Sequence, residues 1–426
     1  MHDVGRPDVR VAIRTLGCKV NRVESETIAA ALLGRGAEVV GEAEASVIVV
    51  NTCTVTGEAD AKARKAVRHA LKSPRRPVVV VTGCMAALDH GELLAMGDRV
   101  VVEPDKTLVA ARVASLLALG DRHLQAPART GDAFRTRAVV KIEDGCDAFC
   151  AYCIVPYARG GPRAVPLGAV VAEAEQLVAA GASEIVLTGI NVGRYHDDGA
   201  GLPDLIETLA ETGVLRLRLS SIEPVDITPR FLEVVAATPS FCRHLHVPLQ
   251  AGCDAVLAEM GRDYTVAAYD ERIAAARAAM PGLAVSTDVI AGFPGESDTQ
   301  AAETLRYCEQ AGFSKLHVFR YSPRAGTPAA DRLDQVAPEE KSARAAALRA
   351  CGARCVDRFA ASRLGCTAEV LVERVTADPP GVPTAEGTTR DYLRVRFSAP
   401  DAARGQLATV VLDRVEGERV HGVLAG

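Results

Sequence analysis

Short β-branched runs alternate with alanine-rich stretches of helical periodicity along the first 120 residues, and this alternation constrains the fold more than any other feature. The predicted strands are Arg10–Arg14, Val47–Asn51, Val78–Thr82 and Arg99–Glu103, and the predicted helices include Val23–Leu33 and Glu58–Leu71. Because strands that alternate with helices at this pitch pair in parallel, the segment predicts an α/β unit with a parallel sheet. All its strands then end at one edge of the sheet, where such sheets bind ligands.

A second strand–helix series follows a polar segment, 116–134, that is predicted to be a linker. Its predicted strands are Ala138–Ile142, Glu184–Thr188, Arg216–Ser220, His244–Pro248, Ala284–Ile290 and Lys315–Tyr321, with helices such as Pro166–Ala180 and Asp298–Ala311 between them. Six such units predict an open partial barrel, whose functional residues gather where the strands end.

The last part of the chain changes period. A long Ala/Arg-rich helix is predicted over Ala337–Leu364, followed by alternating strands at Ala368–Glu373, Tyr392–Phe397 and Gln406–Leu412. This pattern predicts a small all-β barrel, a fold that often binds single-stranded RNA. The charges of this barrel are mixed, and Tyr392 and Phe397 fit a hydrophobic core equally well.

Composition limits the class of protein. The 426 residues are 48% hydrophobic and 24% charged, which is ordinary for a globular protein with two or three domains. A net charge of −5 gives no overall nucleic-acid signal, so any RNA contact must come from a local basic patch. No apolar run has the length of a signal peptide or a membrane span. We therefore expect a cytoplasmic protein with no membrane partner, in which 12 cysteines indicate metal or redox chemistry.

Three cysteines stand in a C-x₃-C-x₂-C run, at Cys146, Cys150 and Cys153. Three thiolates can hold three irons of a 4Fe-4S cluster and leave the fourth iron open for a small molecule. Zinc is the alternative metal, but closed zinc sites use four ligands, usually as two close pairs, and the run has no such partner. The spacing therefore predicts a cluster with an open iron.

Three more cysteines follow three predicted strands of the first sheet. Cys18 comes after the first strand, Cys53 after the second and Cys84 after the third. Since parallel strands end at one edge, the topology brings together residues that are far apart in sequence. They could instead be three unrelated core residues, because cysteine is often buried. Their recurrence at equivalent places favours a second cluster.

Nine ordered motifs resemble the methylthiotransferases of the radical S-adenosylmethionine (SAM) superfamily. They are TLGCKVNRVES, NTCTVTGEADAKARKAVRHA, VVTGCMA, EDGCDAFCAYCIVPYARG, EIVLTGINVG, LRLSSIEP, HLHVPLQAGCD, DVIAGFPGES and FRYSPRAGTPAA. The resemblance runs from about Arg10 to the C-terminus. It implies an N-terminal methylthiotransferase domain with an auxiliary cluster (8–120), a radical SAM partial (β/α)6 barrel (132–362) and a C-terminal RNA-binding TRAM barrel (363–426).

The resemblance also implies the cofactors and the reaction. Cys146, Cys150 and Cys153 would hold a 4Fe-4S cluster that cleaves SAM after reduction by an electron donor protein. Cys18, Cys53 and Cys84 would hold a second 4Fe-4S cluster. The SAM-derived radical would take hydrogen from carbon 2 of an adenine, and a methylthio group would then be transferred there. The protein would position and shield this chemistry.

Within the family, TLGCKVNRVES resembles the branch that acts on threonylcarbamoyladenosine in tRNA. The isopentenyladenosine branch typically has tryptophan before the Gly-Cys, and this chain contains no Trp. The branch that modifies a ribosomal-protein aspartate usually has proline where this chain has Lys19. Both substrates remain alternatives, and a non-catalytic metal-containing RNA-binding protein is the alternative of another class.

Polar residues after the barrel strands are candidate SAM contacts. They are Thr188, Gly189, Asn191, Ser221, Glu223 and Gln250, with Tyr152 beside the cluster. The alternative is turn chemistry, since Ser, Asn and Gly are common in loops. Arg159, Arg163 and Arg194 are candidates for binding tRNA phosphate or the threonylcarbamoyl carboxylate. The remaining cysteines are predicted to be structural thiols, namely Cys242, Cys253, Cys308, Cys351, Cys355 and Cys366.

Overall fold

The computed structural model of the protein describes residues 9–119, 136–376, 383–399, 402–417 and 419–425. Most of the predicted linker, 116–134, lies outside these ranges. Three separate structural parts follow one another along the chain: a parallel sheet flanked by helices, a partial barrel and a small closed barrel. The α/β fold class and this architecture are confirmed. The exact domain boundaries stay predictions.

The first part is a five-stranded parallel sheet, as the alternating pattern predicts. Its strands are Arg10–Thr15 (β1), Glu38–Val39 (β2), Val47–Thr52 (β3), Val78–Gly83 (β4) and Val100–Val102 (β5), in the order β2-β1-β3-β4-β5. Its helices are Lys19–Leu33 (α1), Gly57–Leu71 (α2), Cys84–Leu88 (α3), His90–Leu94 (α4) and Val109–Leu116 (α5). The edge strand β2 was not predicted, since its two exposed residues carry no alternating pattern. Both faces of the sheet are covered, so β3 is buried along its whole length.

The second part is the partial barrel. Its strands are Arg137–Lys141 (β6), Glu143–Asp144 (β7), Arg163–Ala164 (β8), Glu184–Thr188 (β9), His196–Asp197 (β10), Ala200–Gly201 (β11), Arg216–Leu219 (β12), His244–His246 (β13), Ala284–Ala291 (β14) and Lys315–Arg320 (β15). Its α-helices are Val155–Arg159 (α6), Leu167–Ala179 (α7), Leu202–Ala210 (α8), Pro229–Ala237 (α9), Asp254–Glu259 (α10), Val266–Ala279 (α11), Asp298–Gln310 (α12) and Pro338–Ser362 (α13).

Six of these strands form the wall of the barrel, in two parallel sheets ordered β12-β9-β6 and β13-β14-β15. A bridge between Leu217 and Phe241 joins the two sheets beside β12. The wall therefore has two free edges, β6 and β15, as expected for an open barrel. The other four short strands form two hairpins, β7 with β8 and β10 with β11.

The N-terminal part lies across this open side of the barrel. Val23 of α1 packs against Val139 of β6 and Val186 of β9, both on the inner face of the wall. At the other edge, the Ser322 hydroxyl accepts a 2.9 Å hydrogen bond from the backbone N–H of Gly57. Because the sheet domain contacts both edges, the strand ends of the two α/β parts face a common interior.

The third part is a closed barrel of five strands in the order β16-β17-β18-β20-β19. They are Thr367–Thr376 (β16), Thr384–Thr389 (β17), Arg394–Ser398 (β18), Leu407–Glu416 (β19) and Arg419–Leu424 (β20). The prediction that a strand begins at Tyr392 is wrong, since Tyr392 lies in the preceding turn at φ +73°. Strand β17 was missed because TAEGTT has no run of large apolar residues.

In the described residues, no helix is both long and apolar enough for a bilayer crossing.

Candidate active site

The first cysteine trio lies at one edge of the N-terminal sheet, after three neighbouring strands. Cys18 precedes the first residue of α1, Cys53 follows β3, and Cys84 is the first residue of α3 after β4. Cys53 and Cys84 are each 4% exposed, whereas Cys18 is exposed. Cys18 and Cys84 both lie close enough to Cys53 to affect its pKa, so the structure brings together the three cysteines that the topology predicts to meet.

Two glycines allow this close approach. Gly17 has φ +105°, and a Cβ there would lie 2.6 Å from the Cβ of Cys53. Gly83 has φ +93°, and a Cβ there would lie 2.3 Å from the carbonyl oxygen of Thr52. Because L side chains rarely adopt such angles and the space is filled, only glycine fits at either position.

Two buried asparagine side chains, Asn21 and Asn51, hold the loops of the first trio in place. Asn21 Nδ2 donates to the Thr52 carbonyl at 2.8 Å, and Asn51 Nδ2 donates to the Asn21 carbonyl at 2.9 Å. The Cys18 thiol donates to Asn21 Oδ1 at 3.2 Å. These bonds tie α1 to β3, and so tie Cys18 to the loop that carries Cys53. Sequence analysis did not single out either asparagine.

The second trio lies in the loop between β7 and α6. The backbone N–H of Cys146 donates to the Gly160 carbonyl at 3.0 Å, and that of Cys153 donates to the Cys150 carbonyl at 2.8 Å. Gly145 has φ +88° and faces the carbonyl of Gly161, which a Cβ would approach to 2.1 Å. The loop is thus folded back on the end of α6. Its three thiols lie close together, since Cys146 and Cys150 both affect the pKa of Cys153.

Burial raises the pKa of thiols in both trios. The pKa of Cys53 rises to about 11 and that of Cys153 to about 12, with desolvation the largest cause in each. Burial also raises the pKa of Cys84 and Cys146. Metal coordination reverses this effect, because a metal-bound thiol loses its proton. Buried cysteines that crowd one another fit a metal cluster better than a free reactive thiol.

The described residues contain no group of three or more His, Cys, Asp or Glu side chains arranged to hold a single metal ion. A cubane cluster is larger than one ion and carries each thiolate on a separate iron, so its ligands stand farther apart. The all-cysteine donor set and the three-and-three grouping suit such clusters. The residues present therefore fit the cofactors that the sequence predicts.

Arg262 supports the second trio, and sequence analysis missed it. Its guanidinium donates to Cys150 Sγ at 3.2 Å, to the Tyr264 hydroxyl at 3.2 Å, and to Glu223. The Tyr152 side chain lies within electrostatic range of Arg262 and Glu223, and burial raises its pKa well above its ordinary value. Tyr152 and Glu223, both predicted site residues, thus both lie near Arg262. A lone arginine after α10 gave no sequence signal.

Glu143 is a second residue that sequence analysis missed. It is fully buried, and its Oε2 accepts hydrogen bonds from the backbone N–H groups of Ile190 at 2.9 Å and Asn191 at 2.8 Å. Its Oε1 and the Oδ1 of Asn191 are buried and have no hydrogen-bond partner among the described residues. Two acceptor oxygens without donors indicate a place where a cationic ligand would bind.

The other predicted contacts follow the barrel strands as expected. Thr188 ends β9 and is buried, and Gly189 leaves no room for a Cβ, which would lie 2.9 Å from Glu143 Oε2. Ser221 is half-buried after β12. Gln250 has φ +66°, and its backbone N–H donates to the Asp288 carbonyl at 2.9 Å. These residues surround the end of the barrel that carries the second trio.

Arg159 links the two trios, and its predicted contact with tRNA phosphate or the threonylcarbamoyl carboxylate stays a prediction. The side chain is buried, and its Nε donates to Cys84 Sγ at 3.2 Å. Its Nη1 donates to Glu24 at 2.9 Å and to Asp144 at 2.7 Å, at the start of the Cys146 loop. Burial alone would raise the pKa of Asp144, but Arg159 and two lysines lower it to about 2. A surface arginine and a buried one look alike in sequence.

Arg163 and Arg194 are exposed, so their predicted RNA contacts stay predictions. Arg163 donates to the carbonyls of Arg159 and Gly161, and Arg194 lies 3.6 Å from Asp226. The thiols of Cys308, Cys351 and Cys355 are buried together, which the i, i+4 spacing of the last two did not reveal. Burial raises the pKa of Cys351 to about 12, in keeping with structural thiols.

Comparison with known proteins gives two family matches. The Radical SAM superfamily matches residues 140–308, and a family described as Uncharacterized protein family UPF0004 matches residues 10–102. Threonylcarbamoyladenosine tRNA methylthiotransferase MtaB of Bacillus subtilis is 37% identical over 419 residues, which cover 94% of this chain and 93% of that protein.

Relatives with another named substrate are about as similar. The tRNA-2-methylthio-N(6)-dimethylallyladenosine synthase of Anaeromyxobacter dehalogenans is 36% identical over 446 residues, covering 98% of this chain and 95% of that protein. Among solved structures, the radical S-adenosylmethionine methyltransferase TsrM of Kitasatospora setae superposes with a TM-score of 0.58 at 14% identity. That match covers 75% of this chain and 73% of TsrM, and it shows the fold alone.

Proposed function

This chain belongs to the radical SAM methylthiotransferase family, and we propose that it converts threonylcarbamoyladenosine next to the anticodon of tRNA to its 2-methylthio derivative. As a family member it is a transferase that uses SAM and two 4Fe-4S clusters. When bound, these cofactors supply a SAM-derived radical and a methylthio group. The protein's own residues must bind them, keep water away and orient the tRNA base.

One observation carries the proposal: the N-terminal sheet closes the open side of the barrel, so that the two cysteine trios share one interior. Arg159 contacts Cys84 on one side and Asp144, two residues before Cys146, on the other. We propose that Cys146, Cys150 and Cys153 hold the cluster that binds SAM. Cys18, Cys53 and Cys84 would hold the auxiliary cluster. A base placed between them would be within reach of both.

The surrounding polar groups have distinct proposed roles. Glu143 would accept a hydrogen bond from the SAM ammonium with its free Oε1, since a buried carboxylate oxygen favours a cationic partner. Thr188, Gly189 and Asn191 would line the same side of the SAM site. Tyr152, Ser221, Glu223 and Gln250 are the remaining proposed SAM contacts. Arg262 would orient Glu223 and offset the negative charge of thiolate at Cys150.

The cluster assignment can be tested by metal analysis of anaerobically purified protein. We expect about eight irons per chain, and about four after Cys18, Cys53 and Cys84 are all changed to alanine. The variant should still cleave SAM when reduced. Cys366→Ala, which removes a half-buried thiol of another part of the chain, should leave the iron content unchanged. Bound zinc, or SAM left intact by the reduced wild type, would contradict the enzyme assignment.

The substrate can be tested by mass spectrometry of tRNA nucleosides from a strain that lacks the gene. We expect loss of the methylthio form of threonylcarbamoyladenosine alone, with recovery when the gene is returned. Loss of the methylthio form of isopentenyladenosine would transfer the assignment to the branch of the Anaeromyxobacter relative. A change confined to a ribosomal protein would point to the third branch.

We propose that an electron donor protein reduces the cluster that binds SAM, and that the reaction takes place in the cytoplasm.

A further inference from the structure

A cavity of about 560 Å³ lies where helix α1, the inner wall of the barrel and the C-terminal barrel meet. Its described lining carries eight lysine and arginine side chains against two glutamates. Val139 and Val186 form part of its floor, so the cavity reaches the inner face of the barrel wall. Lys19, which follows Cys18 of the first trio directly in the chain, is one of the lining residues.

The two glutamates are already engaged by arginines. Glu373 pairs with Arg137 at 3.0 Å, and Glu386 pairs with Arg419 at 3.2 Å. Both carboxylates therefore offset charges other than that of Lys19. The cavity keeps a clear excess of positive charge after these pairs are counted.

Lys19, Arg374, Arg394 and Arg404 carry that excess. Each is exposed and lines the cavity, and in the parts of the chain that the structure describes none of them pairs with a carboxylate. Unpaired cations that converge on one concave space favour an anionic ligand there.

The positive charge of Lys19 lowers the pKa of two neighbouring groups, Tyr392 and His244. Burial alone would raise the pKa of Tyr392, but Arg137, Lys19 and Arg218 together lower it. The pKa of His244 is well below its ordinary value, first because of burial and then because of nearby cations that include Lys19. These effects agree with the geometry, in which Lys19 lines the cavity.

The position of Lys19 in its helix also needs a reason. It is the first residue of α1, and the first turn of this helix contains no acidic residue. A cation there opposes the helix dipole, which favours negative charge at the N-terminus. Lys19 therefore lowers the stability of its own helix while adding positive charge to the cavity.

We propose that Lys19 binds the carboxylate of the threonylcarbamoyl group, and so selects the substrate nucleoside. This inference rests on the proposed function. The two relatives differ in the substituent on the adenine named in each: a threonylcarbamoyl group ends in a carboxylate, whereas a dimethylallyl group is a hydrocarbon. A cationic cavity attracts the first and gains nothing from the second, because only the first carries a charge opposite to that of Lys19.

The test uses the reconstituted protein and three anticodon stem-loop RNAs. One carries threonylcarbamoyladenosine, the second carries its carboxylate methyl ester, and the third carries unmodified adenosine. Kd is measured by fluorescence anisotropy and kcat/KM by product formation. We expect wild type to bind the free acid about tenfold more tightly than the ester, as for one charge-assisted contact. Lys19→Met should bind both equally, and Lys19→Arg should retain most of the preference.

Lys62→Met is the matched control, since Lys62 is a well-exposed lysine of α2 outside the cavity. It should keep the wild-type preference. If Lys19→Met weakens all three RNAs by the same factor, Lys19 contacts a phosphate and the proposal fails. It also fails if wild type does not distinguish acid from ester, a comparison that needs no variant. A separate assay with a fourth RNA, which carries isopentenyladenosine, tests the proposed function. If wild type methylthiolates only that RNA, the proposed function is overturned, whatever the Lys19 result.

Discussion

At the scale of single residues, the site depends on charges whose partners are distant in sequence. Arg159 lies between a cysteine of the N-terminal sheet and two carboxylates, and all of these groups are largely withdrawn from water. Arg262 likewise lies between a cysteine of the second trio, Cys150, and a carboxylate, Glu223. Each arginine offsets negative charge beside one cysteine trio. This pairing compensates for the cost of removing a well-solvated guanidinium group from water.

Replacement of Arg159 by methionine should destabilise the protein by about 3 kcal/mol, because it leaves Glu24 and Asp144 with fewer cations in a buried place. Lys106 still pairs with Glu24 at 2.7 Å, which limits the loss. The measurement is the urea unfolding midpoint of the cluster-containing protein. Arg163→Met is the control, since that exposed side chain bonds only to nearby carbonyls, and it should cost less than about 0.5 kcal/mol. Equal effects of both variants would refute the bridging role.

Asp226 should make the protein less stable as pH rises. Burial raises the pKa of its carboxyl group to about 6, and its Oδ2 has no hydrogen-bond partner among the described residues. Because the folded state holds this proton more tightly than the unfolded chain, wild type loses stability between about pH 4 and pH 6, by roughly 1–2 kcal/mol after solvent screening. Asp226→Asn lacks this loss, so its stability relative to wild type should increase over that range.

Thermal unfolding at several pH values measures this difference. Asp413→Asn removes one negative charge from an exposed position and corrects for the change in net charge. A constant difference between wild type and Asp226→Asn from pH 4 to pH 7 would show that Asp226 has an ordinary pKa.

At the scale of elements, the strand-to-helix turns decide where the cysteines point. Both Gly17 and Gly83 sit at positive φ beside the end of a strand, with backbone or cysteine atoms directly against them. A turn that tight directs the residue after it, Cys18 or Cys84, back over the sheet edge. The glycines are thus part of the proposed cluster site although they supply no ligand.

Gly83→Ala should therefore both destabilise the fold and lower the iron content. The added Cβ meets the Thr52 carbonyl at 2.3 Å, so strain and displacement together should cost about 2–4 kcal/mol. Gly36→Ala is the matched control: it has a similar φ of +88° with nothing within 4 Å, and should cost only about 1 kcal/mol with no loss of iron. Thermal midpoints and iron per chain are measured for both. Similar losses in the two variants would show that φ alone matters.

At the scale of the whole molecule, a buried ion triad joins the partial barrel to the C-terminal barrel. Glu184 lies 2.9 Å from Arg216 and 2.7 Å from Arg218, and all three side chains are almost fully buried. The arginines also donate to the carbonyls of Thr388, Thr389 and Arg390. Tyr392 stacks on His244, with Arg218 over its ring at 4.4 Å. The C-terminal barrel is thereby held against one end of the partial barrel.

Glu184→Gln should loosen this junction, since two buried guanidinium groups would lose their counter-charge at a cost of about 3–5 kcal/mol. We expect faster hydrogen–deuterium exchange in β17 and weaker tRNA binding. Glu369→Gln, which breaks the partly exposed pair with Arg390, should change stability by less than about 1 kcal/mol. Unchanged exchange in β17 after Glu184→Gln would mean that other contacts hold the barrel.

The sequence alone predicted the fold class, the order of the three parts and most strands, because hydrophobic period is a local property. It failed at the two-residue strands, where the pattern is weak, and in the C-terminal barrel it missed the glycine- and threonine-rich β17 and the last strand, β20. It also grouped the two cysteine trios, since close spacing or strand topology brings their members together. Both kinds of feature can be predicted from local sequence patterns, namely the hydrophobic period and the position of each cysteine relative to a strand.

Only the tertiary structure decided which charged residues are buried and what they contact. Arg159 reaches Glu24 across 135 positions, and Arg216 reaches Thr388 across 172. Nothing in the neighbouring sequence distinguishes these arginines from solvated ones, because burial depends on how separate elements pack. The same holds for Lys19, whose cavity exists only where three parts of the chain meet. The ends of strands set the place of the chemistry, and the packing of the parts sets its electrostatic environment.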